Sequence, residues 1–430
     1  MVTARQVALK ILYSVEFEGA YSNLAIKSGL KDTGLNAKDR GLVTNLVYGV
    51  ISRKNALDKI ISKYSSVKIK KLSKYVLLIL RLGAYQLMYC DKIPASAAVN
   101  ESVKLAGKYA AKSKGFINGV LRSLQRGGYE FTSKAEELSY PDWIYERWCE
   151  ELGEEKAVSV MEALNLTPKM TIRANILKNT PKELIKTLAD EGIEAEFDTV
   201  SPQGLKVLGL DVSNSPAFSS GLFTVQDSAA QLSAIALSPK PGDLVLDLCA
   251  APGGKTTHIA ELMGNSGKVT AFDIHEHKIE LIEDTAQRLG IDIIDAVCFD
   301  ASKKTKALED RFDCVLADVP CSGLGIIRRK PDIKYNAQPN EELYDLQAKI
   351  LDCAAAYVKA GGFIVYSTCT LNSVENEFRI KQFLEENENF EAVDISDTIK
   401  SKTSKDGYCV IYPDEFDTDG FFIAKLKRIK

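Results

Sequence analysis

The chain has 430 residues, 45% hydrophobic and 26% charged, the composition of an ordinary soluble globular protein with room for two or three domains. The net charge of −3 hides an asymmetry: residues 1–126 carry 22 Lys and Arg against 7 Asp and Glu, a net of +15, and the remainder stands at −18. Nine cysteines, an odd number with no CxxC pair, argue against a disulfide framework, and three histidines (His258, His275 and His277) leave a zinc site almost nothing to build from.

The opening stretch MVTARQVALKILYSV is broken by Arg5 and Lys10 and does not read as a signal peptide. The most apolar run, YVLLILRLGAYQLMY, contains Arg81 and is too short to span a bilayer, so a cytoplasmic protein is expected. Residues 1 to about 128 read as all helical, with apolar residues at helical spacing in ARQVALKILYSVEF, DRGLVTNLVYGVI and SKYVLLILRLGAYQLMY. Asn36 and Asp39 offer caps, Pro94 suits the first turn of a helix through ASAAVNESVKLAGKYA, and GFINGVLRSL ends at Gly127-Gly128. A front this basic is the footprint of a polyanion, here nucleic acid, and Lys63, Lys68, Lys70, Lys71 and Lys74 cluster in one loop suited to phosphate.

From 129 to about 235 the pattern mixes. Amphipathic helices around Trp143–Leu152 and Glu155–Leu164 lead into a strand-like KMTIRANIL, a helix from Thr180 and Pro181, and short strands, a small α+β linker domain. From 236 to 430 short β-rich runs (DLVLDL, KVTAFDI, DAVCFD, FDCVLAD and GFIVYST) alternate with helical patterns, which implies a mostly parallel sheet with helices on both faces. YCVIYP and GFFIAKLK read as an antiparallel hairpin at its edge.

Ligands of such sheets bind beyond the carboxyl ends of the strands. The first strand ends in DLCAAPGGKTTHIA, where Gly253-Gly254 permits a tight turn without the spacing of a GxGxxG fingerprint or a P-loop. Asp247, Asp273, Asp300 and Asp318 stand at or just past successive strand ends. Carboxylates there can accept from ribose hydroxyls and an adenine amine, so a nucleoside ligand without phosphates is expected, with S-adenosylmethionine the natural candidate. Two cysteines occupy loops after strands, Cys321 in LADVPCSGLG and Cys369 in IVYSTCTL, whereas Cys314 and Cys353 read as buried. A Cys–His pair would need one of the three histidines to fold back onto a thiol. Spacing alone leaves open which cysteine attacks.

DLCAAPGGKT, DVPCSGLG with its trailing RRKPDIKY, and YSTCTLNSVENE are similar to the motifs of the RNA cytosine-C5 methyltransferases. The front, notably AAVNESVKLA and GFINGVLRSL, resembles the helical RNA-binding fold of the antitermination factor NusB. The resemblance implies a Rossmann-like S-adenosylmethionine-dependent methyltransferase domain after a NusB-like domain and the α+β linker. Its substrate would be one cytosine of 16S rRNA, position 967 in the usual rRNA numbering, met as naked RNA or as an early assembly intermediate. A monomer without metal or membrane attachment is expected. Cys249, Ala250, Ala251, Pro252, Gly253, Gly254 and Lys255 would line the cofactor, and Asp273, Asp300 and Asp318 would contact it or the base. Cys369 would be the nucleophile and Cys321 would assist product release.

The chemistry accounts for these residue types. C5 of cytosine is a poor nucleophile, and a thiolate adding to C6 turns the ring into an enamine that can take a methyl group at C5. A free thiol is only about 3% ionised at pH 7, so positive charge is needed nearby, and Lys255 is the best local source. Asp318 could bond the cytosine amine and N3. Arg328, Arg329 and Lys330 read as a grip on RNA backbone beside the target base. Competing readings are a tRNA cytosine-C5 methyltransferase with the same site, a DNA methyltransferase, and a ribosome-assembly or antitermination factor with an inert methylase fold; intact Cys321, Cys369 and Asp318 count against the last.

Overall fold

A computed structural model describes residues 2–208, 212–399 and 407–430. Contacts divide the chain into two compact units, one holding the residues up to Leu166 with Ile327–Asn336, the other Thr167–Ile326 with Ala337–Lys430. The helices expected to open a linker domain, Asp142–Leu152 and Glu154–Leu164, therefore belong to the first unit.

The first unit is helical throughout. Seven helices run from Ala4–Glu18 to Lys114–Gly127, including two without a sequence signal, Ser22–Leu30 and Lys54–Tyr64. Asn36 caps Ala37–Ser52 by accepting from the Asp39 amide, and Pro94 sits one residue ahead of Ala95–Tyr109. The helix Lys74–Tyr89 is buried on every side from Val76 to Gln86, which makes it the centre of the core. Arg81 is tolerated there because its guanidinium binds both oxygens of Asp58 at 2.7 Å and lies 3.2 Å from Glu16.

The segment Ile327–Asn336 returns to this unit and is docked by polar contacts. Ser22 donates its hydroxyl to Asp332, and Tyr335 lies 3.0 Å from the Ser52 carbonyl. Lys334 is fully buried, donates to the same carbonyl and to Asn165, and lies 3.9 Å from the centre of the Tyr140 ring. Burial, aided by Arg53, pushes its pKa well down. Arg328 is buried here too, and Lys330 remains exposed.

The second unit contains two sheets. In the smaller, β1 (Met170–Ala174), β2 (Glu194–Phe197), β3 (Gly204–Leu208) and β4 (Phe223–Val225) pair antiparallel in the order β2-β3-β1-β4. The helix Pro181–Asp190 packs beside β2, and Thr180 and Glu183 close a capping box at its start. The larger sheet holds β5 (Leu244–Asp247), β6 (Lys268–Asp273), β7 (Ile294–Cys298), β8 (Phe312–Asp318), β9 (Val358–Thr368), β10 (Phe390–Ala392), β11 (Tyr408–Ile411) and β12 (Phe421–Arg428). The order is β10-β12-β9-β8-β5-β6-β7; β5 to β9 are parallel, and the β11–β12 hairpin is antiparallel. The chain runs outward from β5 to β7 and then crosses to β8 on the other side of β5. The β5/β8 junction is thus the topological switch point, where a ligand crevice opens. Among the described residues, no helix is long and apolar enough to cross a membrane.

The small sheet is bolted to the helix Gly254–Leu262 by Arg173, which is fully buried. Its five N–H groups reach both oxygens of Glu261, the Thr257 hydroxyl, the Gly254 carbonyl and the Gln226 side chain. Arg173→Met should cost about 3–5 kcal/mol in urea denaturation, because Glu261 stays buried without its partner. The double variant Arg173→Met, Glu261→Met should recover most of that loss. A second test concerns Asp247, buried at the end of β5 and hydrogen-bonded by Thr256 at 2.7 Å. Desolvation pushes its pKa up to about 7; the Thr256 hydrogen bond opposes and the charge of Asp318 adds. Such an acid keeps its proton in the folded state where the unfolded chain has released it, so stability falls as pH rises from about 4 to about 7. Asp247→Asn should flatten that slope, gaining on the order of a few kcal/mol at pH 8 relative to pH 4.

Candidate active site

Past the end of β5 the chain turns sharply before the helix Gly254–Leu262. The Ala250 amide donates to the Phe272 carbonyl at 2.8 Å, which holds the turn against the end of β6. Gly253 adopts φ +98°, a backbone conformation that favours glycine, and a Cβ there would lie a tight 3.2 Å from the Ile282 Cα. No side chain caps the helix that follows. Asp273 ends β6, takes the His275 amide at 3.0 Å and is nearly buried. Asp300 is fixed by the Ser302 hydroxyl at 2.6 Å and by its amide. With Lys303 beside it, the acid is held below the ordinary range, chiefly through the serine hydroxyl. Strand-end carboxylates with no phosphate cradle suit a nucleoside that brings hydroxyls and an amine rather than phosphates.

The second half of the site comes from β8 and β9. Their parallel register sets Asp318 opposite Ser367, and the Ser367 hydroxyl donates to Asp318 at 2.8 Å. Lys255, from the first turn of the helix after β5, donates to the other oxygen of Asp318 at 2.7 Å. Cys321 lies three residues beyond one strand end and Cys369 two beyond Ser367, and their sulfurs stand 3.3 Å apart. Both are partly exposed, whereas Cys314, Cys353 and Cys409 are buried. The two loops touch through backbone, Gly325 donating to the Cys369 carbonyl at 3.0 Å, and Gly420, just before β12, donates to the Gly325 carbonyl at 2.8 Å. A Cβ on Gly325 would lie 2.1 Å from the Gly420 oxygen, so no other residue fits there without moving the loops.

The electrostatics separate the thiols from the cation. Burial opposes the charge of Lys255, but Asp318 outweighs it, and with Cys369 and Asp247 also contributing, the ammonium is held above its ordinary pKa. Cys321 is pushed well up by its hydrogen bond to Cys369, then by burial and by the charges of Cys369 and Glu375. Cys249 is likewise held protonated, by burial first and then by Asp247, Asp318 and Asp273. None of the histidines is needed to explain this arrangement: His258 is buried against Gln203 and stays neutral through burial and the nearby Arg173. His275 and His277 lie at the start of the helix Glu276–Leu289.

The structure brings together the sequence-derived set Lys255, Asp318, Cys321 and Cys369, and it places Cys249 to Gly254, Asp273 and Asp300 along the ends of β5, β6 and β7. Sequence reasoning missed the residues that tie the cysteine loops: Ser322, Gln347, Thr370, Asn372, Glu375 and Asn376. The only hint was the density of polar residues in TLNSVENE straight after a buried strand.

Residues 234–427 match the family model described as 16S rRNA methyltransferase RsmB/F, and residues 2–126 match that of the NusB family. Residues 140–212 match the ferredoxin-like domain of RsmF/B-like methyltransferases. The chain is similar to the probable ribosomal RNA small subunit methyltransferase B of Bacillus subtilis, 40% identical over 99% of both proteins. It is 38% identical over the whole of both chains to the probable enzyme of that name from Synechocystis sp.. Among solved structures, the crystal structure of PH0851 aligns with a TM-score of 0.83 at 29% identity, covering 99% of this chain and 98% of that one. With the domain order, the three motif loops and full-length relatives in agreement, the chain belongs to the ribosomal RNA small subunit methyltransferase B family.

Proposed function

We propose that this chain methylates C5 of one cytosine of 16S rRNA, position 967, through a covalent bond between Cys369 and C6 of the base. The observation that carries the proposal is the pair of thiols 3.3 Å apart at neighbouring strand ends, beside the Lys255–Asp318 ion pair. The names of the full-length relatives support rRNA as the substrate.

The site's carboxylates fit S-adenosylmethionine, which Cys249, Ala250, Ala251, Pro252, Gly253, Gly254, Lys255, Asp273, Asp300 and Asp318 would hold. When bound, it supplies an electrophilic methyl group on a sulfonium. The chain's own residues do the rest. Lys255, kept charged by Asp318, favours the thiolate of Cys369, which adds to C6 and sends an electron pair toward N3 and C5. Asp318 already accepts from Ser367 and Lys255, and it can also accept from the exocyclic amine. Lys255 is then the donor available for the charge that develops on the ring, a role that the sequence suggested for Asp318. After C5 is methylated, a base (solvent water reaching the partly exposed loops) takes the C5 proton, the C–H electron pair restores the C5–C6 double bond, and the C6–S pair leaves with the Cys369 thiolate. Cys321 assists that release from the opposite loop. The base must leave its stack to reach these loops. The basic first unit, at +15 over residues 1–126, supplies the electrostatic hold on the RNA.

Bisulfite sequencing of 16S rRNA from a strain lacking the gene should show loss of one methylcytosine; survival of every methylcytosine would contradict the rRNA assignment. Cys369→Ala should lower methyl transfer by about 1,000-fold or more and form no protein–RNA adduct. Cys321→Ala should accumulate an adduct resistant to denaturing gel electrophoresis, and the reverse pattern would exchange the two roles.

A further inference from the structure

Glu375 is fully buried on the loop that follows Cys369, and it is not a group that the proposed reaction requires. Four donors point at its carboxylate. One oxygen takes the Ser322 amide at 2.8 Å and the Gln347 side chain at 2.9 Å; the other takes the Ser322 hydroxyl at 2.5 Å and the Asn372 side chain at 2.7 Å. Ser322 is the residue after Cys321. Gln347 also donates to the carbonyl of Pro320, the residue before it, at 2.9 Å. The Glu375 carbonyl accepts the Tyr366 hydroxyl at 2.7 Å, which anchors the residue to β9. Thr370, the residue after Cys369, meets the Ser322 hydroxyl at 2.7 Å. Each loop is thus held within one residue of its cysteine, and both are held to the same side chain.

We infer that Glu375 is a positioning residue whose single buried carboxylate, bonded to both cysteine loops, sets the separation at which Cys321 and Cys369 can face one base. The inference rests on the proposed roles of the two thiols and deepens that reading. The donor count explains why a carboxylate stands here. Gln in its place would turn an NH2 group toward one of the two donor pairs, and at least one N–H would then confront an N–H in a dry site. Aspartate is one methylene too short to keep both loops. Glu375 also adds negative charge beside Cys321, behind the Cys369 hydrogen bond and burial, so it helps to keep that thiol protonated while its neighbour reacts.

The test uses the thiols as a ruler. Diamide removes one hydrogen from each of two close thiols, forming an S–S bond and the corresponding hydrazine, and peptide mass spectrometry reports the Cys321–Cys369 linkage. The native protein should close this disulfide rapidly, and Glu375→Gln should close it at least about tenfold more slowly, well below its melting temperature. In methyl transfer to 16S rRNA, Glu375→Gln should lose on the order of 100-fold in kcat, with KM for S-adenosylmethionine changed by less than about twofold. An unchanged closure rate would overturn the inference, as would a loss confined to the cofactor KM. If Glu375→Gln slows closure but the native protein methylates no rRNA, the proposed function fails and the role of Glu375 in spacing the thiols stands. If Glu375→Gln does not fold, Ser322→Ala, which removes one donor of the Cys321 loop, should still slow closure about threefold, and native closure in that variant would overturn the inference.

Discussion

The parallel pairing of β8 with β9 is the constraint on which the site depends. Because Asp318 lies opposite Ser367, the two chains leave the sheet side by side, and the loops that follow bring two sulfurs to 3.3 Å from positions 48 residues apart in sequence. Strand ends are stiff, so the loops inherit a fixed origin. Their tips are then set by the Gly325–Gly420 backbone contact and the shared Glu375 carboxylate. A one-residue slip in this register would turn every side chain of β9 to the opposite face, removing Ser367 from Asp318 and burying the core residues wrongly.

The same economy governs the charges. Lys255 comes from a third element, the helix after β5, and reaches Asp318 across the switch point. One ion pair therefore links the turn after β5 to the cysteine loops. Around it, three buried charged or acidic groups have partners: Asp247 with Thr256, Arg173 with Glu261, and Glu375 with four donors. Each pair is neutral or ionic in a dry surrounding, where a missing partner costs far more than the pair itself contributes. Placing two thiols among such groups keeps their geometry narrow.

Much of this was legible in the sequence, and the parts that were not share a physical cause. The parallel sheet and its terminal aspartates showed through strand–helix alternation, a local signal. The helices Ser22–Leu30 and Lys54–Tyr64 went unread, and neither has a side-chain N-cap to mark its start. Lys334 was quoted only within RRKPDIKY and given no role, yet it is fully buried because a tyrosine ring, a carbonyl and an asparagine from distant positions receive it. Arg173 and Glu261 lie 88 residues apart, and no periodicity reports a pairing at that distance. Spacing alone left open which thiol attacks, because both loops look alike, and the choice of Cys369 rests on the family resemblance. Glu375 was quoted in a motif and passed over, since a glutamate in a polar loop ordinarily faces water.

The central claim is that Cys369 bonds to the target base while Cys321 does not. It is tested most directly by incubating the native protein and S-adenosylmethionine with 16S rRNA carrying 5-fluorocytosine, whose C5 fluorine cannot leave as the proton does. Mass spectrometry of the digested complex then identifies the modified cysteine. The account predicts a methylated fluorocytosine nucleotide on the Cys369 peptide, and a nucleotide on the Cys321 peptide, or none on either, would contradict it.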